Sequence, residues 1–248
     1  MKFSLENNNK VWIFVVLVAA LISFTFINTY PISILDEAKN AEAAREMWAS
    51  GTYWVPKFNG ELRTDKPPLH YYFMLLGFNL FGTTVLGARF FSALMGFITL
   101  LTTFGFARRY FGNAVAQTTL LILVGSFFFM QEFHLAVPDP YLIAFVTLGL
   151  FSFYHFYVTK KYLYLVLFYF FLALGALSKG PIAIALPGLS VGLFILLQKE
   201  LKNTFRYYPI LGLLGIALIV VPWFWQVHLK SYGLWTQGFF FDHNVSRF

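Results

Sequence analysis

The 248-residue chain reads as an all-α polytopic membrane protein with a polar loop folded on one membrane face. Its composition is 58% hydrophobic and only 12% charged, far from a soluble globular balance. Seven apolar runs approach the roughly 20 residues a hydrocarbon core requires. Basic residues gather in alternate short connections between those runs, as the positive-inside rule demands. There is no cysteine, which excludes disulfides, thiolate catalysis and cysteine-ligated metals.

The expected spans are 11–30, 84–107, 113–131, 140–158, 162–178, 180–198 and 207–227. The first is read as an uncleaved span, because its apolar run of about 19 residues shows no small-x-small cleavage site before Tyr30-Pro31. The run 69–81 holds 13 residues, too few to span, and is expected to be an amphipathic helix at the interface. With the N-terminus inside, Lys2, Lys10, Arg108, Arg109, Lys160, Lys161, Lys199, Lys202 and Arg206 all fall on the inner face. If 69–81 spanned, the basic loops from 108 onward would move outside. The net charge of +7 is thus a topology signal and no nucleic-acid footprint. Gly96, Gly105, Gly149 and Gly175 within the spans suit close helix packing.

Acids follow a different rule. On this topology only Glu6 and Glu200 are inside, whereas Asp36, Glu37, Glu42, Glu46, Glu61, Asp65, Glu132, Asp139 and Asp242 are outside. Acids contribute little to topology, so a site on the outer face is the simplest explanation. Five of six tryptophans (Trp48, Trp54, Trp223, Trp225, Trp235) lie on or near the same side.

The outer loop 31–83 is long enough to carry structure. Ser33-x-x-Asp36 fits a helix-capping pattern, strong helix formers follow, and Gly51 is a stop, which predicts a helix over 36–50. Lys39 shares a helix face with Asp36. From spacing alone, Asp36 is equally a capping acid or a reactive one. Lys66-Pro67-Pro68 reads either as a snorkelling lysine before a helix start or as a charged contact. Asp139, held between Pro138 and Pro140, has a stiff backbone and is either a turn acid or a directed carboxylate. Lys179, in the tight link Ser178-Lys179-Gly180-Pro181, is either a helix C-terminal cation or a phosphate contact.

Taken in order, the segments from Asp36 to Glu42, Gly60 to Tyr72 with Asp65-Lys66-Pro67-Pro68, Gly87-Ala88-Arg89, Pro138-Asp139-Pro140, Lys179-Gly180-Pro181 and His243 to Phe248 form one pattern. It resembles the N-terminal half of GT-C-fold glycosyltransferases, closest to the bacterial lipid A 4-amino-4-deoxy-L-arabinose transferases and more distantly the protein O-mannosyltransferases. The resemblance implies inverting transfer of a sugar from a polyprenyl-phosphate donor to a lipid A, protein or glycan acceptor. It places the enzyme in the bacterial cytoplasmic membrane with its site on the periplasmic face. It implies Asp36 as the catalytic acid, Lys66, Lys179 and Lys39 as donor-phosphate contacts, and Glu37 and Asp139 as supporting acids. It further implies a divalent metal ion held by Asp65 and His243, although the family often has glutamate where Asp65 stands and arginine where Lys39 stands. The family architecture is about twice as long, so this chain is expected to be its N-terminal half. A transporter or a non-catalytic membrane scaffold is the competing reading; transporters place ionisable residues near the bilayer midplane, whereas here they collect at one surface.

Overall fold

The computed structural model describes residues 6–242. Helix α1, Glu6–Phe24, ends earlier than the expected span 11–30. A turn follows in which Phe26 takes a positive φ of 65°, and this stops the helix. Helix α2, Leu35–Ser50, matches the expected outer-loop helix, and Gly51 ends it at φ 65° in the left-handed conformation that glycine adopts without strain. The Ser33 capping pattern is not realised: Ile34 is the N-cap and no side chain bonds the first-turn amides. Asp36 and Glu37 sit inside the first turn instead, where the helix dipole favours them.

Two short strands, β1 at Lys57–Phe58 and β2 at Glu61–Leu62, pair antiparallel around Asn59-Gly60. Both turn residues have positive φ, 52° and 79°, as a two-residue hairpin of this kind needs. Glu46 of α2 accepts the amides of Asn59 (2.5 Å) and Gly60 (3.2 Å), tying the hairpin tip to the helix. Helix α3, Leu69–Phe81, starts after Pro67-Pro68 and stops at Gly82, with the bounds read from the sequence.

Helix α4, Val85–Phe111, is capped by the Thr84 hydroxyl, which accepts from the Gly87 amide at 3.1 Å. A Cβ placed on Gly77 would stand 2.0 Å from the Gly87 carbonyl oxygen, so α3 and α4 touch backbone to backbone only because both residues are glycine. The expected span 113–131 is broken: α5, Asn113–Val124, and α6, Phe127–Phe133, meet at 65°. Gly125 ends the first piece, and the Ser126 hydroxyl caps the second by accepting from the Phe129 amide. Helices α7 (Asp139–Thr159), α8 (Tyr162–Lys179), α9 (Ile182–Leu197), α10 (Pro209–Lys230) and α11 (Leu234–Gln237) complete the order.

By length and apolarity α4, α7, α8 and α10 can each cross a bilayer, and the bent α5–α6 pair makes a fifth. Helices α1 and α9 stand where two further spans were expected and are shorter apolar helices, so among the described residues five of the seven expected spans, counting the bent pair as one, reach spanning length. The core packs Phe91, Phe104, Phe133 and Tyr141 among α4, α6 and α7. Ala43 and Ala44 give α2 a small face that rests on Tyr71 and Met74 of α3. Trp223, Trp235 and Phe239 pack with Val55 and Tyr72 and so close the segment between α2 and α3 against α10.

Candidate active site

Asp36 and Glu37 are adjacent on α2, so about 100° of helical rotation points them apart. Glu37 goes inward and is 0% exposed. Its two carboxylate oxygens take a bidentate pair from Arg89 of α4, Nε–Oε1 at 2.6 Å and Nη2–Oε2 at 2.8 Å. The Ala136 amide also donates to Oε1, at 2.9 Å. Arg89 spends Nη1 on the Ile27 carbonyl (3.0 Å) and the Tyr30 carbonyl (2.8 Å). One buried ion pair therefore fastens the exit of α1, the start of α2, α4 and the linker that leads to Asp139. Every charge in it is met, which is the condition for tolerating buried ions.

Asp36 faces outward and is exposed, with Glu37 fixing its backbone. Lys66 lies close enough to sense Asp36, Asp65, Asp139 and Lys179. Burial, and then the neighbouring Lys179 ammonium, hold the Lys66 pKa below the usual lysine value, with the three acids opposing. Asp139 opens α7 and Lys179 closes α8, and they meet in an ion pair that leaves both about one-third exposed (32% and 26%). Both local readings of these residues thus hold, an N-terminal acid and a C-terminal cation, and the fold also joins them. Glu132 of α6 completes the group, within electrostatic reach of Asp139, Lys179 and Asp36.

The structure therefore gathers Asp36, Lys66, Asp139 and Lys179 at one end of the bundle. Among the described residues Lys39 forms no ion pair with Asp36 and is not part of this group. Asp65 pairs with Arg63 at 3.2 Å. His243 lies outside the described residues, and among those described no set of three His, Asp or Glu side chains could hold a metal ion. Asp65 is thus engaged by Arg63, and its expected metal partner His243 lies outside the described residues.

Sequence reasoning left Arg89, Asn40, Arg63 and Glu132 without roles. Asn40 and Arg63 form a second buried polar cluster with Tyr71 and His70. Burial and the nearby Arg63 and Lys66 charges push His70 well below its ordinary pKa, so it is neutral. A charged residue inside an otherwise apolar segment, as Arg89 is in 84–107, was the one signal available for this scaffold.

Residues 65–225 match the family model described as dolichyl-phosphate-mannose-protein mannosyltransferase. An uncharacterised protein of Aquifex aeolicus (strain VF5) is 35% identical over 218 residues, covering 86% of this chain and 42% of that protein. An undecaprenyl phosphate-alpha-4-amino-4-deoxy-L-arabinose arabinosyl transferase of Aeromonas hydrophila subsp. hydrophila is 31% identical over 232 residues, covering 88% of this chain and 40% of its own length. The crystal structure of ArnT from Cupriavidus metallidurans bound to undecaprenyl phosphate superimposes with a TM-score of 0.85 at 26% identity, over 97% of this chain and 45% of that one. The chain thus spans less than half the length of these relatives and shares the GT-C fold with the solved structure. With more than half of its residues matched by one family model, the chain belongs to the dolichyl-phosphate-mannose-protein mannosyltransferase family.

Proposed function

We propose that the protein to which this chain belongs transfers a sugar from a polyprenyl-phosphate donor to a hydroxyl of a lipid A, protein or glycan acceptor. The site lies on the outer, periplasmic face of a bacterial cytoplasmic membrane, a placement supported by the inner basic loops of the sequence. The observation that carries the reading is the convergence of Asp36, Lys66 and the Lys179–Asp139 pair from four separated segments onto one end of the bundle.

The chemistry divides among these groups. The acceptor oxygen attacks the anomeric carbon, with inversion, as the bond from that carbon to the phosphate oxygen breaks. The exposed Asp36 carboxylate takes the acceptor proton, as a general base. The electron pair of the broken bond leaves with the polyprenyl phosphate. Lys66 and Lys179 stabilise the charge that develops there, in a half-buried setting where such contacts count for more than in water. Asp139 holds Lys179 in place before the donor arrives. The similarity to a structure solved with undecaprenyl phosphate supports the donor class.

The test uses the full-length protein in membranes with a labelled polyprenyl-phosphate sugar. Wild type should transfer label, and folded Asp36→Asn should lose about 10²–10⁴-fold in rate, the usual contribution of a general base. Near wild-type transfer by Asp36→Asn would sink the assignment.

A further inference from the structure

We propose that Asn40 is a positioning residue that sets the separation between Asp36 and Lys66, a role that rests on the reading of those two as base and phosphate contact. Asn40 lies one turn after Asp36 on α2 and is 0% exposed. Its Nδ2 donates to the Asp36 carbonyl at 2.9 Å. Its Oδ1 accepts from Arg63 Nη2 at 3.1 Å and from the Tyr71 hydroxyl at 3.3 Å, with His70 Nε2 at 3.4 Å. The amide orientation is fixed by chemistry: the reverse placement would aim an NH₂ at the Arg63 guanidinium and leave the Asp36 carbonyl facing an oxygen.

The residues on Oδ1 are the two feet of one loop. Arg63 stands before Lys66, and His70 and Tyr71 stand after it. Arg63 Nε also donates to the Tyr71 hydroxyl at 2.9 Å, which closes the feet on each other. Pro67 and Pro68 stiffen the path between Lys66 and the second foot. Burial raises the Tyr71 phenol to about 12, so it remains a neutral donor. A single buried amide therefore grips the backbone of Asp36 with one end and both feet of the Lys66 loop with the other. Buried hydrogen-bonded groups of this kind are costly to leave unpaired, so the register they impose is stiff.

The two ends can be cut separately in the full-length enzyme. Asn40→Asp keeps acceptors for Arg63 and Tyr71 but replaces the donor on the Asp36 carbonyl with a carboxylate oxygen. Tyr71→Phe removes one foot and leaves the Asp36 grip intact. The expected result is a split. Asn40→Asp lowers kcat by about 10–100-fold with the donor KM changed less than about threefold, the loss typical of a small misplacement of a reacting group. Tyr71→Phe raises the donor KM by about three- to tenfold with kcat close to wild type. With kcat referred to the amount of folded enzyme, measured separately, a loss of folded protein leaves both constants at their wild-type values. Wild-type kcat and KM in both variants would overturn the clamp. Should Asn40→Asp yield no folded protein, Tyr71→Phe decides alone, and an unchanged donor KM overturns it. Asp36→Asn run alongside keeps the two failures apart: its retaining full transfer defeats the functional reading, whereas its inactivity with wild-type kinetics in the other two defeats only the clamp.

Discussion

The region around Glu37 and the region around Asp36 start from consecutive residues and diverge in their electrostatics. Glu37 is sealed, and both its oxygens are spent on Arg89 and a backbone amide. Arg89 in turn holds carbonyls from the turn that follows α1. The Asp36 region is half open: Asp36 is exposed, and Lys66, Asp139 and Lys179 are only partly covered. The first region is a fully met network whose charges are committed to the fold. The second is a set of partly exposed charges gathered at one end of the bundle and not spent on the fold. A site of the proposed kind needs both, since a ligand's phosphate is best met by groups whose backbones are already fixed.

That contrast can be broken by moving the same kind of substitution across it. The largest effect is expected for Glu37→Ala, which leaves the Arg89 guanidinium buried and uncompensated. It should cost about 3–5 kcal/mol of stability, read as a large fall in thermal midpoint and folded yield, whereas Asp36→Asn should stay within about 0.5 kcal/mol of wild type. Equal destabilisation by both would erase the distinction. Lys66→Met should leave the midpoint nearly unchanged and lower transfer by about 10²–10³-fold, the loss seen when one stabiliser of developing charge is removed.

A smaller effect sharpens the picture through pH. Burial and then the Lys179 charge disfavour the Lys66 ammonium form and hold its pKa below the ordinary lysine value. Its charge is present at neutral pH and is lost as pH rises through that depressed value, so donor binding should fall on an alkaline limb below the ordinary lysine range. Lys66→Arg, whose guanidinium stays charged, should move that limb to higher pH in a donor-binding titration. An unmoved limb would assign the titration elsewhere. The smallest effect is expected for Lys39→Ala, at about twofold or less in transfer, because Lys39 stands apart from the clustered charges; a loss above about tenfold would restore its phosphate role.

Much of this organisation was legible along the chain where local chemistry decides it. Pro67-Pro68 started α3 and Gly51 ended α2, because proline and glycine act on their own backbones. The gathering of Asp36, Lys66, Asp139 and Lys179 at one end of the bundle followed from the sidedness expected of their segments. The break at Gly125-Ser126 lay hidden inside a run apolar enough to read as one span. The Ser33 pattern misled, since α2 is held at its start by an ion pair 52 residues distant in sequence rather than by its own neighbour. Arg89 and Asn40 escaped for the same reason: what they do is defined by partners that only the folded loop brings near.

The most direct test is a structure of the full-length protein with bound polyprenyl phosphate. The expected result is phosphate density between the ammonium groups of Lys66 and Lys179, beside Asp36, with the Glu37–Arg89 pair unmoved. A phosphate seated on Arg89 with Glu37 displaced, or density away from Lys66 and Lys179 altogether, would contradict the division between a committed anchor and an available site.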